Sequence, residues 1–248
     1  MPKFFVEPEK IDGNTVVIDT EDVNHIRKVL RMNVGDKLNI CDSCGWDYET
    51  EILSITDKNI SCAILDKRKS DTEPELQVVL YQALPKASKM EYIIQKTVEL
   101  GISKIVPVST SRCVVKIENK KDGEKKQTRW QKIAEAAAKQ SGRGIIPQVS
   151  APISFDQAVE ELAACDLSFV LYECEEDNTI KTELKDISSK KKVGFIIGPE
   201  GGFSPLEIDK LKAKGINAVT LGRRILRTET AGEAVLTMIM YEADEFKY

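Results

Sequence analysis

The chain has 248 residues, 42% of them hydrophobic and 31% charged, with a formal net charge of -4 and a pI near 5.4. That balance fits one or two globular domains with a real core and excludes a disordered chain. No apolar run approaches the roughly 18 residues that span a bilayer, and Met1-Pro2-Lys3-Phe4-Phe5-Val6-Glu7-Pro8 is too soon interrupted for a secretory leader, so a cytoplasmic protein with no membrane partner is expected. The acidic balance argues mildly against nucleic acid, but local clusters such as Arg27, Lys28 and Arg31, or Arg223, Arg224 and Arg227, set the field a ligand meets.

The first 70 residues read as mainly β. Short β-rich stretches at 14–18, 37–41, 48–55 and 60–65 are separated by Gly, Asp and Asn. Val23, Ile26, Val29 and Leu30 recur at helical spacing, with Asp19 or Thr20 as a cap, so a small barrel with one helix is expected. That helix carries the single histidine, His25, and places Arg27 and Arg31 four apart on one face. Cys41-Asp42-Ser43-Cys44 is a CxxC. A zinc site needs about four ligands, and neither Cys62 nor His25 stands at a ligand spacing. With Gly45-Trp46 the segment reads as a turn between strands, and no metal is expected. The six cysteines read as reduced thiols.

Residues 66–75 are charged and polar, end around Pro74, and read as a linker. Strands and helices then alternate. A strand at 76–82 precedes Ser88-Lys89-Met90-Glu91, read as a capping box that opens a helix with Met90, Ile93, Ile94 and Val98 on one face. A strand at 104–108 is followed by a helical stripe of Trp130, Ile133, Ala134, Ala137 and Ala138. Ser154-Phe155-Asp156-Gln157 is a second capping box, ahead of a strand at 167–172. The run at 193–197 is apolar throughout, as in a parallel strand buried on both faces. Ser204-Pro205-Leu206-Glu207 starts the next helix, 218–221 is a strand, and a last helix opens around Thr230. This alternation predicts an α/β domain with a parallel sheet. The last helix is apolar around much of its circumference, through Ala234, Val235, Met238, Ile239 and Tyr241, which predicts a homodimer built on it.

Two strand–loop–helix connections hold the functional signal. The first is Gly198-Pro199-Glu200-Gly201-Gly202-Phe203, whose glycines let a backbone approach a ligand; a side chain at Gly201 is expected to intrude and to force an unfavourable φ. The second, Leu221 to Ala231, joins one glycine, three arginines and a glutamate. In open α/β sheets ligands bind beyond the carboxyl ends of strands. No GxxxxGK[ST] and no GxGxxG after the first strand is present, which argues against P-loop and dinucleotide-binding domains.

At these two connections the chain resembles the RsmE family of 16S rRNA (uracil-N3) methyltransferases, of the SPOUT superfamily. The likeness extends to His25-Ile26-Arg27-Lys28-Val29-Leu30-Arg31 with Gly35-Asp36, to Lys96-Thr97-Val98-Glu99-Leu100-Gly101 with Pro107, and to Arg129-Trp130 through Gln140-Ser141-Gly142-Arg143 with Pro147. Residues 116–129 are the least family-like and read as a variable loop. The resemblance implies a PUA-like RNA-binding β-barrel over 1–70 and a SPOUT domain over 73–248, with a parallel sheet and a trefoil knot that no strand reading predicts. It implies a homodimer, 16S rRNA of the small ribosomal subunit as partner, and S-adenosyl-L-methionine as cofactor. The cofactor would lie, by position, on Leu171, Gly198, Glu200, Gly201, Leu221, Ile225, Leu226 and Thr230, and RNA on His25, Arg27, Lys28, Arg31 and Arg143. Uracil N3 carries a proton. Arg227 is the candidate to offset charge on the uracil oxygens, and Glu229 or Glu200 to accept the proton, each being alternatively an ion pair with a neighbouring arginine. Two alternatives stay open: a SPOUT methyltransferase acting on another RNA such as tRNA, and a non-catalytic, cofactor-sensing RNA-binding protein.

Overall fold

A computed structural model describes residues 3–246. The chain forms two compact units, Met1–Glu73 with Ala138–Ile146, and Pro74–Ala137 with Pro147–Tyr248. A cut near residue 70 therefore misses one return. The Glu73 carboxylate accepts from the Arg143 guanidinium and from the amides of Gly144 (2.7 Å) and Ile145 (3.2 Å), and so gathers 138–146 into the first unit.

In the first unit, β1 (Lys3–Phe5), β2 (Ile11–Asp12), β3 (Thr15–Ile18), β4 (Lys37–Cys41), β5 (Trp46–Ile55) and β6 (Ile60–Lys69) form one sheet in the order β1-β4-β5-β6-β3-β2. Only β1 joins in parallel. Register shifts after Glu49 and Ile52 bend β5. Phe4 from one end of the sheet and Val16 and Ile18 from the other share a core with Ile26, Leu38, Ile40 and Ile52, so the strands wrap one apolar interior, as a small barrel requires. β6 runs through Lys69, four residues beyond the expected end. Its charged tail pairs with Trp46–Glu49, so the first four residues of the expected linker are ladder.

The helix differs from its pattern. A short α1 (Asp22–Asn24) passes into a π-turn over His25–Val29, closed by Leu30 N donating to His25 O at 3.0 Å. Val29 is 65% exposed and Arg31 has φ +56°, so Arg27 and Arg31 do not share a helical face. The CxxC forms a turn in which the Asp42 carboxylate accepts from Cys44 N (2.8 Å) and Trp46 N (3.1 Å). Cys41 donates to Gly144 O, and burial pushes its thiol up to about 12.

In the second unit, β7 (Gln77–Ala83), β8 (Lys104–Ser109), β9 (Gln148–Val149), β10 (Ile153–Ser154), β11 (Leu167–Leu171), β12 (Lys192–Ile197) and β13 (Asn217–Val219) are all parallel. Their order is β10-β8-β7-β12-β11-β13, with β9 also on β8. The helices are α2 (Lys89–Glu99), α3 (Lys120–Ser141, whose residues from Ala138 on belong to the first unit), α4 (Phe155–Ala163), α5 (Ile180–Glu183), α6 (Pro205–Ala213) and α7 (Thr228–Glu242). Val159 and Leu162 of α4 and Ile208 and Leu211 of α6 pack on Val79, Tyr81, Ile196 and Ala218. Alternate residues point to the opposite face, where α7 lies against β7 and β12 and packs on α2. Covering both faces explains the unbroken apolar run in β12.

The boxes at Ser154 and Ser204 form as expected. Ser88 makes no side-chain capping bond, because its backbone (φ -84°, ψ 7°) is not extended as at Ser154 and Ser204, and the Glu91 carboxylate pairs with Arg129. The stretch expected as a variable loop is helical from Lys120 onward, and α7 starts two residues earlier than expected. β13 is held on two sides: Tyr172 N donates to Val219 O (3.1 Å) on the β11 side, while Thr220 N donates to Asn178 O (2.9 Å) on the other. The 172–180 segment therefore crosses from one side of β13 to the other. No helix among the described residues is long and apolar enough to cross a membrane.

Candidate functional site

The ends of β11, β12 and β13 are level, with Val170 opposite both Ile196 and Ala218. Leu171, Gly198 and Leu221 thus leave three adjacent strands at one edge of the sheet, where ligands bind in this architecture. In the first loop Gly202 N donates to Pro199 O at 2.9 Å and closes a turn. The left-handed φ falls on Gly202 (+63°), where an added Cβ would lie 2.4 Å from Glu173 Oε1. Gly201 has ordinary φ and would make only a 3.4 Å contact with Arg112 Cβ, so the strain expected at Gly201 belongs to its neighbour.

The loop after β8 latches this segment. Arg112 Nη1 donates to Gly201 O (2.9 Å), and Ser111 donates through N and Oγ to the Glu207 carboxylate at 2.8 and 2.9 Å. Ser204 adds two further donors from its own N and Oγ. Burial pushes the Glu207 carboxyl up, but these four donors hold it below the usual carboxylate range.

The second loop is open. Gly222 N donates to Thr220 Oγ1, but among the described residues the backbone of Arg223, Arg224, Ile225 and Leu226 makes no hydrogen bond. Leu221 and Leu226 are half-buried, and Ile225 is 87% exposed. The loop ends at Thr228, whose hydroxyl donates to Gly198 O (2.7 Å) and accepts from Gln82 Nε2 (2.9 Å). That relay ties the end of β7, the glycine loop and the start of α7 together. Thr230, on the first turn of α7, is exposed.

Glu200 and Glu229 converge, but on a lysine. Lys89 Nζ lies 3.0 Å from Glu200 Oε1 and 3.1 Å from Glu229 Oε2. The arginine partner expected from the sequence is absent: Arg227 is exposed and makes no ion pair among the described residues. Burial raises both carboxyls. Their own backbone amides and the Lys89 ammonium outweigh it and leave both below the usual carboxylate range.

The remaining candidates belong to the first unit. His25 is exposed beside the Phe4 ring, Lys28 and Arg31 are exposed, and Arg27 pairs with Asp57 at 2.6 Å. Arg143 is a correction. It is buried and bidentate to Glu73 at 2.9 and 2.7 Å, so its guanidinium holds the fold and is not offered to RNA. On α7, Val235 and Ile239 are consumed by the core. Met238 (40% exposed), Tyr241 (74%) and half-buried Ala234 remain outward.

Sequence reasoning missed Lys89, Arg112 and Gln82. Gln82 left a signal, an amide side chain near the carboxyl end of a mostly apolar strand. Lys89 and Arg112 left none, because their partners lie on segments distant along the chain.

Comparison with known proteins gives a consistent result. Residues 72–240 match the RNA methyltransferase domain family, and residues 18–65 match the RNA methyltransferase PUA domain. The chain is 35% identical over 251 residues to ribosomal RNA small subunit methyltransferase E of Bacillus subtilis, covering 98% of each chain. It is similar to the structure of the Neisseria gonorrhoeae ribosomal RNA small subunit methyltransferase E bound to S-adenosyl methionine, with TM-score 0.85, 30% identity and 97% of each chain covered. It is also similar to a Legionella pneumophila putative methyltransferase in complex with the same cofactor, with TM-score 0.84, 32% identity and 96% of each chain covered.

Proposed function

We propose, since this chain belongs to the ribosomal RNA small subunit methyltransferase E family, that it transfers the methyl group of S-adenosyl-L-methionine to N3 of one uridine in 16S rRNA of the small ribosomal subunit, in the cytoplasm. The observation that carries this reading is the group of level strand ends, with one glycine loop and one loop of free backbone groups, in a chain that aligns over 98% of its length with its Bacillus subtilis relative. The residues fit the cofactor. Leu171, Leu221 and Leu226 offer half-buried apolar contact to a flat ring. Gly198 and Gly201, with the amides and carbonyls of Ile225 and its neighbours, suit the polar edge and ribose, and Glu200 and Thr230 flank them. When bound, the cofactor supplies an electrophilic methyl on a sulfonium.

The chain's own task is to hold uracil in line, exclude water and remove the N3 proton. Arg227, exposed and without an ion pair among the described residues, is our candidate to offset charge on the uracil oxygens. His25, Arg27, Lys28 and Arg31 are the RNA-facing candidates of the PUA unit. The 172–180 segment, passing from one side of β13 to the other, supports the knot that the resemblance implies. Met238 and Tyr241, with Tyr92 of α2, support a homodimer built on α7. The purified protein, given methyl-tritiated cofactor and total RNA, is expected to label small-subunit rRNA. Label on tRNA, or none on any RNA, would overturn the reading.

A further inference from the structure

Glu200 and Glu229 lie far apart in sequence, on the β12 loop and on α7, yet both meet the side chain of Lys89 on α2. The three side chains are only partly buried, at 27%, 26% and 17% exposure for Lys89, Glu200 and Glu229. One cation between two carboxylates leaves a surplus negative charge. The two acids are not equivalent. Glu200 Oε1 also accepts from Lys86 N at 3.1 Å. Glu229 Oε2 is buried and, among the described residues, has only the Lys89 ammonium beside it, at 3.1 Å. A carboxylate oxygen that meets a single cationic neighbour still has a lone pair to offer a proton.

We propose that Lys89 is a positioning residue that keeps Glu200 and Glu229 as two separate anions beside the transfer site, so that Glu229 takes the proton from uracil N3. The inference rests on the methyl-transfer reading above. In the step, the N3–H bond breaks and its proton passes to a Glu229 oxygen. The N3 electron pair forms the new bond to the methyl carbon, while the sulfur–methyl bond breaks and its electrons stay on sulfur, leaving a neutral thioether. The protonated carboxyl then returns its proton to water. Without Lys89 the two carboxylates repel and would share one proton, as close like charges do, and the acceptor would already be filled at mildly acidic pH.

The other charged and titratable neighbours do not replace Lys89. Arg227 acts on Glu229 only through space, and the Glu233 carboxylate, one turn further along α7, holds the Tyr92 hydroxyl above the usual tyrosine range. The lowered carboxyls of Glu200 and Glu229 and the raised ammonium of Lys89 agree with the geometry.

The test is the single-turnover methylation rate of Lys89→Met across pH, at saturating cofactor. The account expects a rate about 10-fold below wild type near pH 6, recovering toward wild type above about pH 8, with cofactor affinity retained. Lys89→Arg should keep the wild-type profile. The double variant Lys89→Met/Glu200→Gln, which removes the like charge, should return the acid limb to its wild-type position. If Lys89→Met fails to fold by thermal melting, the double variant and Lys89→Arg carry the same test. A wild-type profile in Lys89→Met, or a loss equal at every pH, or no restoration in the double variant, overturns the proposal. Wild-type protein that methylates no RNA overturns the functional reading instead.

Discussion

Two ionic clusters in this chain share their chemistry and differ in use. In the first unit Arg143 and Glu73 are one cation and one anion, bidentate, with side chains 5% and 15% exposed, and the carboxylate also serves two amides. Its charge is balanced, and its carboxylate accepts four hydrogen bonds. In the second unit Lys89 faces two carboxylates, so charge is left over, and among the described residues the buried Glu229 oxygen has only that ammonium beside it. A balanced, saturated pair holds a fold. An unbalanced, half-exposed one retains capacity to exchange a proton, and that difference, rather than the presence of charge, marks the site.

The comparison breaks first at Arg143. Arg143→Ala strands a buried carboxylate, and losses for such a break are about 3–5 kcal/mol. Calorimetry should show a large fall in melting temperature, and a near-neutral result would make the pair dispensable. Arg227→Ala should do the reverse, leaving stability and cofactor affinity near wild type while lowering kcat about 100- to 1000-fold. That deficit should shrink as pH rises and solution deprotonation of uracil takes over. Unchanged turnover would remove Arg227 from the chemistry.

Glu207 sharpens the contrast, being a buried carboxylate held by four neutral donors and, among the described residues, by no cation. Its folded pKa lies below its unfolded one, so its stabilisation is present above the unfolded carboxyl range and lost as pH falls through the lowered folded value. Glu207→Gln should cost about 1–3 kcal/mol at neutral pH, and the gap between the two melting temperatures should close on acidification. A gap that widens instead would reverse the sign assigned to Glu207. The smallest effect is expected from Arg27→Ala/Arg31→Ala. Arg27 is already paired with Asp57, so RNA affinity should weaken modestly and the salt slope should drop by less than about two. An unaltered slope would return both arginines to the solvated surface.

What the sequence made legible was local. The apolar run of β12 and the box at Ser204 needed only neighbours along the chain, and both formed. Ser88 carries the same signature, but Glu91 is drawn to Arg129 on another helix, and no spacing reveals that. The charged tail of β6 read as a linker because composition does not show that Trp46–Glu49 pairs with it. Arg143 read as a surface cation because its burial depends on Glu73, which returns from another part of the chain. At the site, the loop positions followed from strand order, whereas the meeting of Glu200 and Glu229 on Lys89 is a product of α2 packing on α7.

The central claim is methylation of uracil N3, and the most direct measurement is mass spectrometry of nucleosides from small-subunit rRNA. Cells lacking this protein would be compared with the same cells given the wild-type chain or Arg227→Ala. The account predicts that 3-methyluridine is absent without the protein, restored by wild type and strongly reduced with Arg227→Ala. The same 3-methyluridine level in all three, or a methyl restored at another atom or in another RNA, would contradict it.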